Sequence, residues 1–253
     1  MNTNIAEYCT ELKLPAIAAV YQEYADADKC AKKSISHTEY LQQLLEYEHT
    51  KRHERAQQTT LQLAKFPKLK TLDAFDFTTS NINKHQILEL ANLGFLNNQE
   101  NIILVGSSGT GKTHLASSIG YLATKKRLKV KFITAADLMI QLESASLSNS
   151  LPKYFSKIIN GATLLIIDEF GYINLNQAQS QLFFQLVNKR YETGSIILTT
   201  NLIFTKWKEV LNNDEALTAA VLDRLLHHSH IINIQGDSYR LKHRNKCTMI
   251  ENK

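Results

Sequence analysis

The eight residues Gly106-Ser107-Ser108-Gly109-Thr110-Gly111-Lys112-Thr113 constrain this chain more than any other stretch. They match G-x-x-x-x-G-K-[ST], the phosphate-binding P-loop pattern. The flanks are what the pattern needs. In front, Ile102-Ile103-Leu104-Val105 reads as a short buried strand. Behind, Leu115, Ala116, Ile119 and Leu122 fall at helical spacing, which starts a helix near Lys112. The glycines let the backbone aim its N–H groups inward, and the helix N-terminus adds partial positive charge. Lys112 would reach the β- and γ-phosphates of ATP, and the Thr113 hydroxyl would ligate Mg²⁺. A nucleoside triphosphate is the expected ligand.

At 253 residues the chain has room for one large domain, or for a small one and a medium one. No apolar run approaches the roughly 18–20 residues that a membrane span needs. The start, Met1-Asn2-Thr3-Asn4-Ile5, lacks the charged and apolar regions of a secretory signal. Cys9, Cys30 and Cys247 are odd in number and far apart, which fits reduced thiols and a cytoplasmic location better than a disulfide frame or a zinc site. The net charge is only +5, but it is unevenly placed. Lys51, Arg52, Arg55, Lys65, Lys68 and Lys70 stand against the single acid Glu54, and Arg240, Lys242, Arg244 and Lys246 cluster near the end. Such clusters suit a polyanion, and they equally suit solvated helix faces.

Taken in order, residues 1 to about 65 read as helical. Leu12, Leu14, Ile17, Val20, Tyr21 and Tyr24 give one amphipathic segment, and Tyr40, Leu41, Leu44, Leu45 and Tyr47 another, with Ser36 or Thr38 as its N-cap. The second segment runs into Lys51, Arg52 and Arg55, which are the candidate DNA contacts. Phe66-Pro67 breaks the helix and divides a small all-α domain, residues 1–67, from a second domain, residues 68–253. Leu72, Phe75 and Phe77 mark a connector that packs onto the second domain, and a helical pattern over 82–96 follows. From residue 101 the chain alternates strands (102–105, 130–133, 163–167, 195–199, 231–234) with helices (136–142, 153–160, 176–192, 215–227). Residues 143–152 read as a polar loop, and Gly194 as a helix stop. Alternation of this kind predicts an α/β fold, a parallel five-stranded sheet flanked by helices.

The third strand ends in Asp168-Glu169. A buried strand that delivers an acid at its carboxyl end is the Walker B arrangement, so Asp168 and Thr113 would converge on one Mg²⁺. Glu169 would then orient or deprotonate an attacking water. Asn201, just past the fourth strand, would hold that water or sense the γ-phosphate. Arg224 suits developing phosphoryl charge, or else a local salt bridge with Asp223. His227-His228-x-His230 has no common ligand spacing, and the sequence supplies no further ligands for it.

Seven phrases in order now carry a resemblance over nearly the whole length. They are Leu12-Lys13-Leu14-Pro15; Lys70-Thr71-Leu72-Asp73-Ala74-Phe75-Asp76-Phe77; Asn101 through the P-loop; Ile166-Ile167-Asp168-Glu169-Phe170-Gly171; Leu198-Thr199-Thr200-Asn201 leading to Trp207; Leu222 to His228; and Ser238-Tyr239-Arg240-Leu241. The chain resembles the IstB-type ATP-binding helper proteins of bacterial insertion sequences, in the same AAA+ group as the DnaC-type helicase loaders. The resemblance implies an AAA+ ATPase core that assembles into an ATP-dependent homo-oligomeric ring or spiral around duplex DNA. It implies the cognate transposase of the same element as partner, a DNA-binding role for the N-terminal domain, Asn201 as first sensor, Arg224 as a finger acting in trans, and Arg240 as a second-sensor arginine on the nucleotide. Ile203 stands where the family would suggest proline, and Ser144 to Ser150 is unusually polar.

A DnaC-like replicative helicase loader would share this core, with single-stranded DNA as ligand. A small-molecule kinase on a P-loop fold is opposed by Asp168-Glu169, Asn201 and Arg224, which suit water as acceptor and a multimeric site. A scaffold that only switches on ATP binding is opposed by the intact Glu169.

Overall fold

A computed structural model describes residues 3–30, 35–159, 161–236 and 238–239. The apolar runs become strands β1 (Asn101–Gly106), β2 (Val130–Thr134), β3 (Leu164–Phe170), β4 (Ser195–Thr200) and β5 (Ser229–Ile234). All pair in parallel, in the order β2-β3-β4-β1-β5. The helices are α1 (Thr3–Glu11), α2 (Pro15–Cys30), α3 (His37–Ala64), α4 (Lys84–Ala91), α5 (Lys112–Lys125), α6 (Ala135–Leu147), α7 (Leu151–Tyr154), α8 (Gln177–Arg190), α9 (Trp207–Val210) and α10 (Glu215–Leu226). None is long and apolar enough to cross a membrane, among the described residues.

The chain divides into two units, Met1–Thr59 and Thr60–Lys253. In the first, Cys9, Ile17 and Leu44 form a small core with Tyr21, Tyr24 and Tyr40 around it. Helix α3 is capped by Ser36 and not by Thr38: the Glu39 N–H donates to Ser36 Oγ (3.2 Å), and the Ser36 N–H donates back to Glu39 Oε2 (2.8 Å). Helix α2 opens on Pro15, preceded by the apolar Leu14, and so lacks a side-chain cap of its own. Glu48 supplies one from α3. Its Oε2 accepts the Ala16 and Ile17 N–H groups at 2.8 and 3.1 Å, and its Oε1 accepts Arg52 Nε at 2.8 Å. Arg52 also donates to the Lys13 carbonyl, and Lys51 pairs with Glu54 at 2.8 Å. Two of the three candidate DNA contacts are therefore held by local partners, and Arg55 is exposed.

In the larger unit, side-chain alternation along the strands builds a core on each face of the sheet. Ile102 and Leu104 of β1 join Leu115, Ile119, Ile87 and Leu90 from α5 and α4 on one face. Ile103 and Val105 join Leu138, Leu142, Phe183, Leu186, Val221 and Leu225 from α6, α8 and α10 on the other. Both faces of a parallel sheet are thereby covered. The strands' carboxyl ends and the P-loop lie along one edge.

Three sequence expectations are corrected. The polar loop expected over 143–152 is largely helix, since α6 continues to Leu147. Leu138, Leu142 and Ala145 keep one face of that helix buried, and the serines occupy the other sides. The helix expected over 153–160 begins earlier, as α7, and passes into a π-helical turn over Phe155–Ile159. Gly194 does not stop α8, which ends at Arg190 with Glu192 in the left-handed region (φ 55°). Gly194 instead leaves room for the Arg190 guanidinium, because a Cβ there would lie 2.5 Å from Arg190 Nη2. That guanidinium is buried, binds the carbonyls of Ala162, Thr163 and Ser195, and has its pKa pushed down to about 10 by burial.

Candidate nucleotide site

The loop between β1 and α5 has the shape its glycines permit. Gly109 and Gly111 hold φ of +81° and +100°, and Gly111 is the N-cap of α5 without a side-chain cap. The first N–H groups of α5 are thus left facing the loop, where an anion is favoured. Lys112 is buried, and its Nζ donates to the carbonyls of Gly106 (2.7 Å) and Ser107 (2.6 Å). Thr110 Oγ1 donates to the Ser107 carbonyl at 2.9 Å and closes the turn.

Asp168 ends the buried part of β3 and is 3% exposed. Thr113 Oγ1 lies 3.0 Å from each of its carboxylate oxygens. Thr199, on the neighbouring strand β4, donates its hydroxyl to Asp168 Oδ1 at 2.5 Å and accepts the Glu169 N–H at 2.9 Å. A bulge in the β3–β4 register between Ile167 and Phe170 places Glu169 at φ 62°, with its side chain exposed. Left-handed backbone costs a non-glycine residue about 1–2 kcal/mol, and such strain concentrates at functional sites. The bulge turns one acid inward, onto the threonines, and frees the next.

A cleft of about 680 Å³ joins these parts, lined by Ser108 to His114, Glu169, Tyr172, Thr199, Tyr239 and, from the connector, Pro67 to Thr71 and Ala74 to Asp76. The Phe75 ring stands over Gly111, where a Cβ would come within 2.6 Å of it. Phe75 also meets the His114 ring edge-on, with centroids 5.3 Å apart. His114 Nε2 binds the Thr71 carbonyl at 2.8 Å, and burial holds the ring's pKa below its ordinary value. Thr199 and the connector are site elements that the sequence alone did not single out. The available signal for Thr199 was a hydroxyl at the carboxyl end of a strand bordering the acid-bearing strand.

The predicted site residues divide accordingly. Ser108 to Thr113, Asp168 and Glu169 come together, with Gly106 and Ser107 beside them as carbonyl partners of Lys112. Asn201 does not line the cleft. Its Oδ1 is buried without a hydrogen-bond partner among the described residues, beside Gly171 and just behind the Glu169 bulge. Arg224 is also outside the cleft: it stacks over the Phe184 ring at 5.0 Å and donates from Nε to Asn188 Oδ1 at 2.9 Å. Arg240 lies outside the described residues, although its neighbour Tyr239 reaches the cleft and donates its N–H to the Gly109 carbonyl at 3.1 Å.

Residues 7–247 match the family described as IstB-like ATP binding protein. The chain belongs to that family. It is 43% identical over 243 residues to the insertion sequence IS5376 ATP-binding protein of Geobacillus stearothermophilus, covering 96% of this chain and 95% of that one. It is 41% identical over 224 residues to the insertion sequence IS21 ATP-binding protein of Pseudomonas aeruginosa, covering 88% and 84%. Among solved structures, the DnaC helicase loader superposes with a TM-score of 0.52 at 21% identity, over 65% of this chain and 96% of that chain. The replication initiator DnaA, solved with AMPPCP and single-stranded DNA, gives 0.57 at 22% identity, over 68% and 52%. The fold of this IstB-like chain is thus that of the AAA+ P-loop proteins, and it belongs to an ATP-binding family.

Proposed function

We propose that this chain is a Mg²⁺-dependent ATPase that assembles on duplex target DNA and assists the transposase of its own insertion sequence. The observation that carries the ATPase reading is the Thr113–Asp168–Thr199 cluster, with Glu169 freed beside it on a strained bulge. A hydroxyl and a carboxylate within hydrogen-bond reach form an all-oxygen donor set, which suits Mg²⁺. Magnesium held there supplies charge neutralisation for the β- and γ-phosphates.

The chain's own residues would do the rest. The Lys112 ammonium exchanges its two loop carbonyls for phosphate oxygens, and the N–H groups at the start of α5 take the remaining charge. Thr199 keeps the Asp168 carboxylate oriented and pins the Glu169 backbone. The Glu169 carboxylate accepts a proton from the attacking water as the water oxygen bonds to the γ-phosphorus and the β–γ bridging bond breaks. Asn201, behind the bulge, has a spare acceptor with which to position that turn. Arg224 lies away from its own chain's cleft, which is where a finger acting on a neighbouring subunit belongs in a homo-oligomer. Arg240, beyond the cleft-lining Tyr239, would contact the nucleotide as a second sensor. Residues 1–67 would form the DNA-binding domain and 68–253 the ATPase domain. With Lys51 and Arg52 in local pairs, Arg55 is the member of that trio best placed for a phosphate.

The naming of both relatives after insertion sequences supports transposition. Likeness to the DnaC loader is a likeness of fold, and keeps helicase loading as the second reading. Glu169→Gln tests the catalytic assignment. The variant is expected to bind a fluorescent ATP analogue as the wild type does while turnover falls by three orders of magnitude or so, in the range for loss of a catalytic base. Wild-type turnover in that variant would remove Glu169 from the role.

A further inference from the structure

A second constellation lies at the opposite ends of the strands, where α8 and α10 stop and the chain turns into β4 and β5. The chain leaves α8 through Tyr191 and Glu192, and leaves α10 through His227 and His228. One carboxylate oxygen of Glu192 and one ring nitrogen from each histidine all lie within 4.8 Å of one another, and the three side chains are exposed. They are the one such group of three among the described residues. The cluster has an ordered support. The Tyr191 hydroxyl lies 3.0 Å from His227 Nδ1, a contact that fixes the ring and would leave Nε2 as its ligand atom. The His227 and His228 rings pack edge-on at 4.1 Å. Glu192 is set by its left-handed backbone (φ 55°).

We propose that Glu192, His227 and His228 form a binding site for a divalent transition cation of the zinc type, with Tyr191 as its positioning residue. Two imidazoles and one carboxylate, with a fourth position open to solvent, are a donor set that zinc accepts and that the oxygen-seeking Mg²⁺ and Ca²⁺ do not favour. Ligand atoms around tetrahedral zinc stand roughly 3.4 Å apart, given bond lengths near 2.0–2.1 Å. Exposed side chains close the remaining gap by rotation, without backbone movement. The tyrosine hydroxyl would accept the second ring N–H of His227, the role that a carboxylate, a backbone carbonyl or water fills for most metal-bound histidines. The histidine spacing in the sequence misleads here, because His230 is taken by Glu100 at 2.8 Å and the third ligand, Glu192, comes from the turn after α8, far away in the chain.

The site would clamp the end of α8 to the end of α10. Those two helices also meet through Asn188 and Arg224, so a bound cation would stiffen the segment that carries Arg224.

The test uses full-length protein with any affinity tag removed, titrated with Zn²⁺ by calorimetry and with Co²⁺ by visible absorption. One equivalent per chain is expected, with a cobalt spectrum well above that of the aqueous ion. His227→Ala, His228→Ala and Glu192→Gln should each abolish that binding. Tyr191→Phe should keep it but weaken it on the order of 10–100-fold. The paired rings of His49 and His53 on α3, 4.2 Å apart, are the competing site. The double variant His49→Ala, His53→Ala should bind as the wild type does. Binding that survives all three ligand substitutions, or that disappears with the His49/His53 pair, would overturn the proposal. If the ligand variants do not fold, a wild-type cobalt spectrum no stronger than that of aqueous Co²⁺ would overturn it as well.

Discussion

Thr199→Val removes two bonds with almost no change of shape. The hydroxyl of this buried residue donates to Asp168 Oδ1 at 2.5 Å and accepts the Glu169 N–H at 2.9 Å. A hydrogen bond to a charged group contributes about 1.5–3 kcal/mol and a neutral one about 1 kcal/mol, so the variant should lose about 2.5–4 kcal/mol. For a unit of this size that corresponds to a fall in melting temperature of roughly 5–15 °C. The effect on catalysis has a separate origin. Glu169 sits at φ 62°, which costs about 1–2 kcal/mol and is held in part by the bond from its N–H. Without that bond the bulge relaxes, and each 1.4 kcal/mol of lost positioning slows turnover about tenfold. A ten- to hundredfold loss of kcat is expected, with ATP affinity nearly unchanged because the P-loop is untouched. Differential scanning calorimetry and steady-state ATPase assays read the two effects separately. A variant that melts and turns over like the wild type would refute the bridging role. So would one that loses ATP binding in parallel with turnover.

Two further outcomes are expected. Arg224→Ala should bind ATP normally and hydrolyse it poorly, and mixing it with Lys112→Ala should restore part of the activity, because the first supplies an intact P-loop and the second an intact arginine. No restoration in mixtures that still co-assemble, checked by light scattering, would count against a shared site. Glu48→Ala should cost about 2–3 kcal/mol at neutral pH, since it uncaps α2 and frees Arg52. Burial pushes the Glu48 carboxyl up, but the bonds from Arg52, Ile17 and Ala16 outweigh it and hold the folded pKa below the ordinary value. The stabilisation is therefore complete above the unfolded-state pKa of about 4.3 and is lost as pH falls through the folded one. Thermal melts of wild type and variant should converge in acid, and a gap that widens there would contradict the assignment.

How far the residues disclosed this molecule depends on the range of the interaction. The five strands were legible because each is a short apolar run, buried on both faces in β1, β3 and β4 and alternating in the edge strand β5, and the P-loop because its spacing is local. Asp168 was legible as the acid ending such a run. What stayed hidden was cross-strand. Thr199 reaches Asp168 only because β4 lies beside β3, and Glu169 turns only because the register slips between Ile167 and Phe170. The extension of α6 through its serines was hidden for another reason: composition suggested a loop, but Leu142 joins the sheet's core and Ala145 is buried, and burial prevailed over polarity. Gly194 illustrates the same limit, since its smallness serves a guanidinium from the preceding helix and not a turn. The grouping of Glu192 with His227 and His228 depends on two helix ends meeting in space, which no spacing rule contains.

The most direct measurement is the rate of ATP hydrolysis by the full-length protein with no DNA, with duplex DNA and with single-stranded DNA, across a series of salt concentrations. A DNA-assembled transposition helper should be stimulated by duplex, and the stimulation should fade as salt rises and phosphate contacts weaken. A preference for single strands would contradict that function and favour the loader. Hydrolysis indifferent to both would contradict any DNA-dependent role.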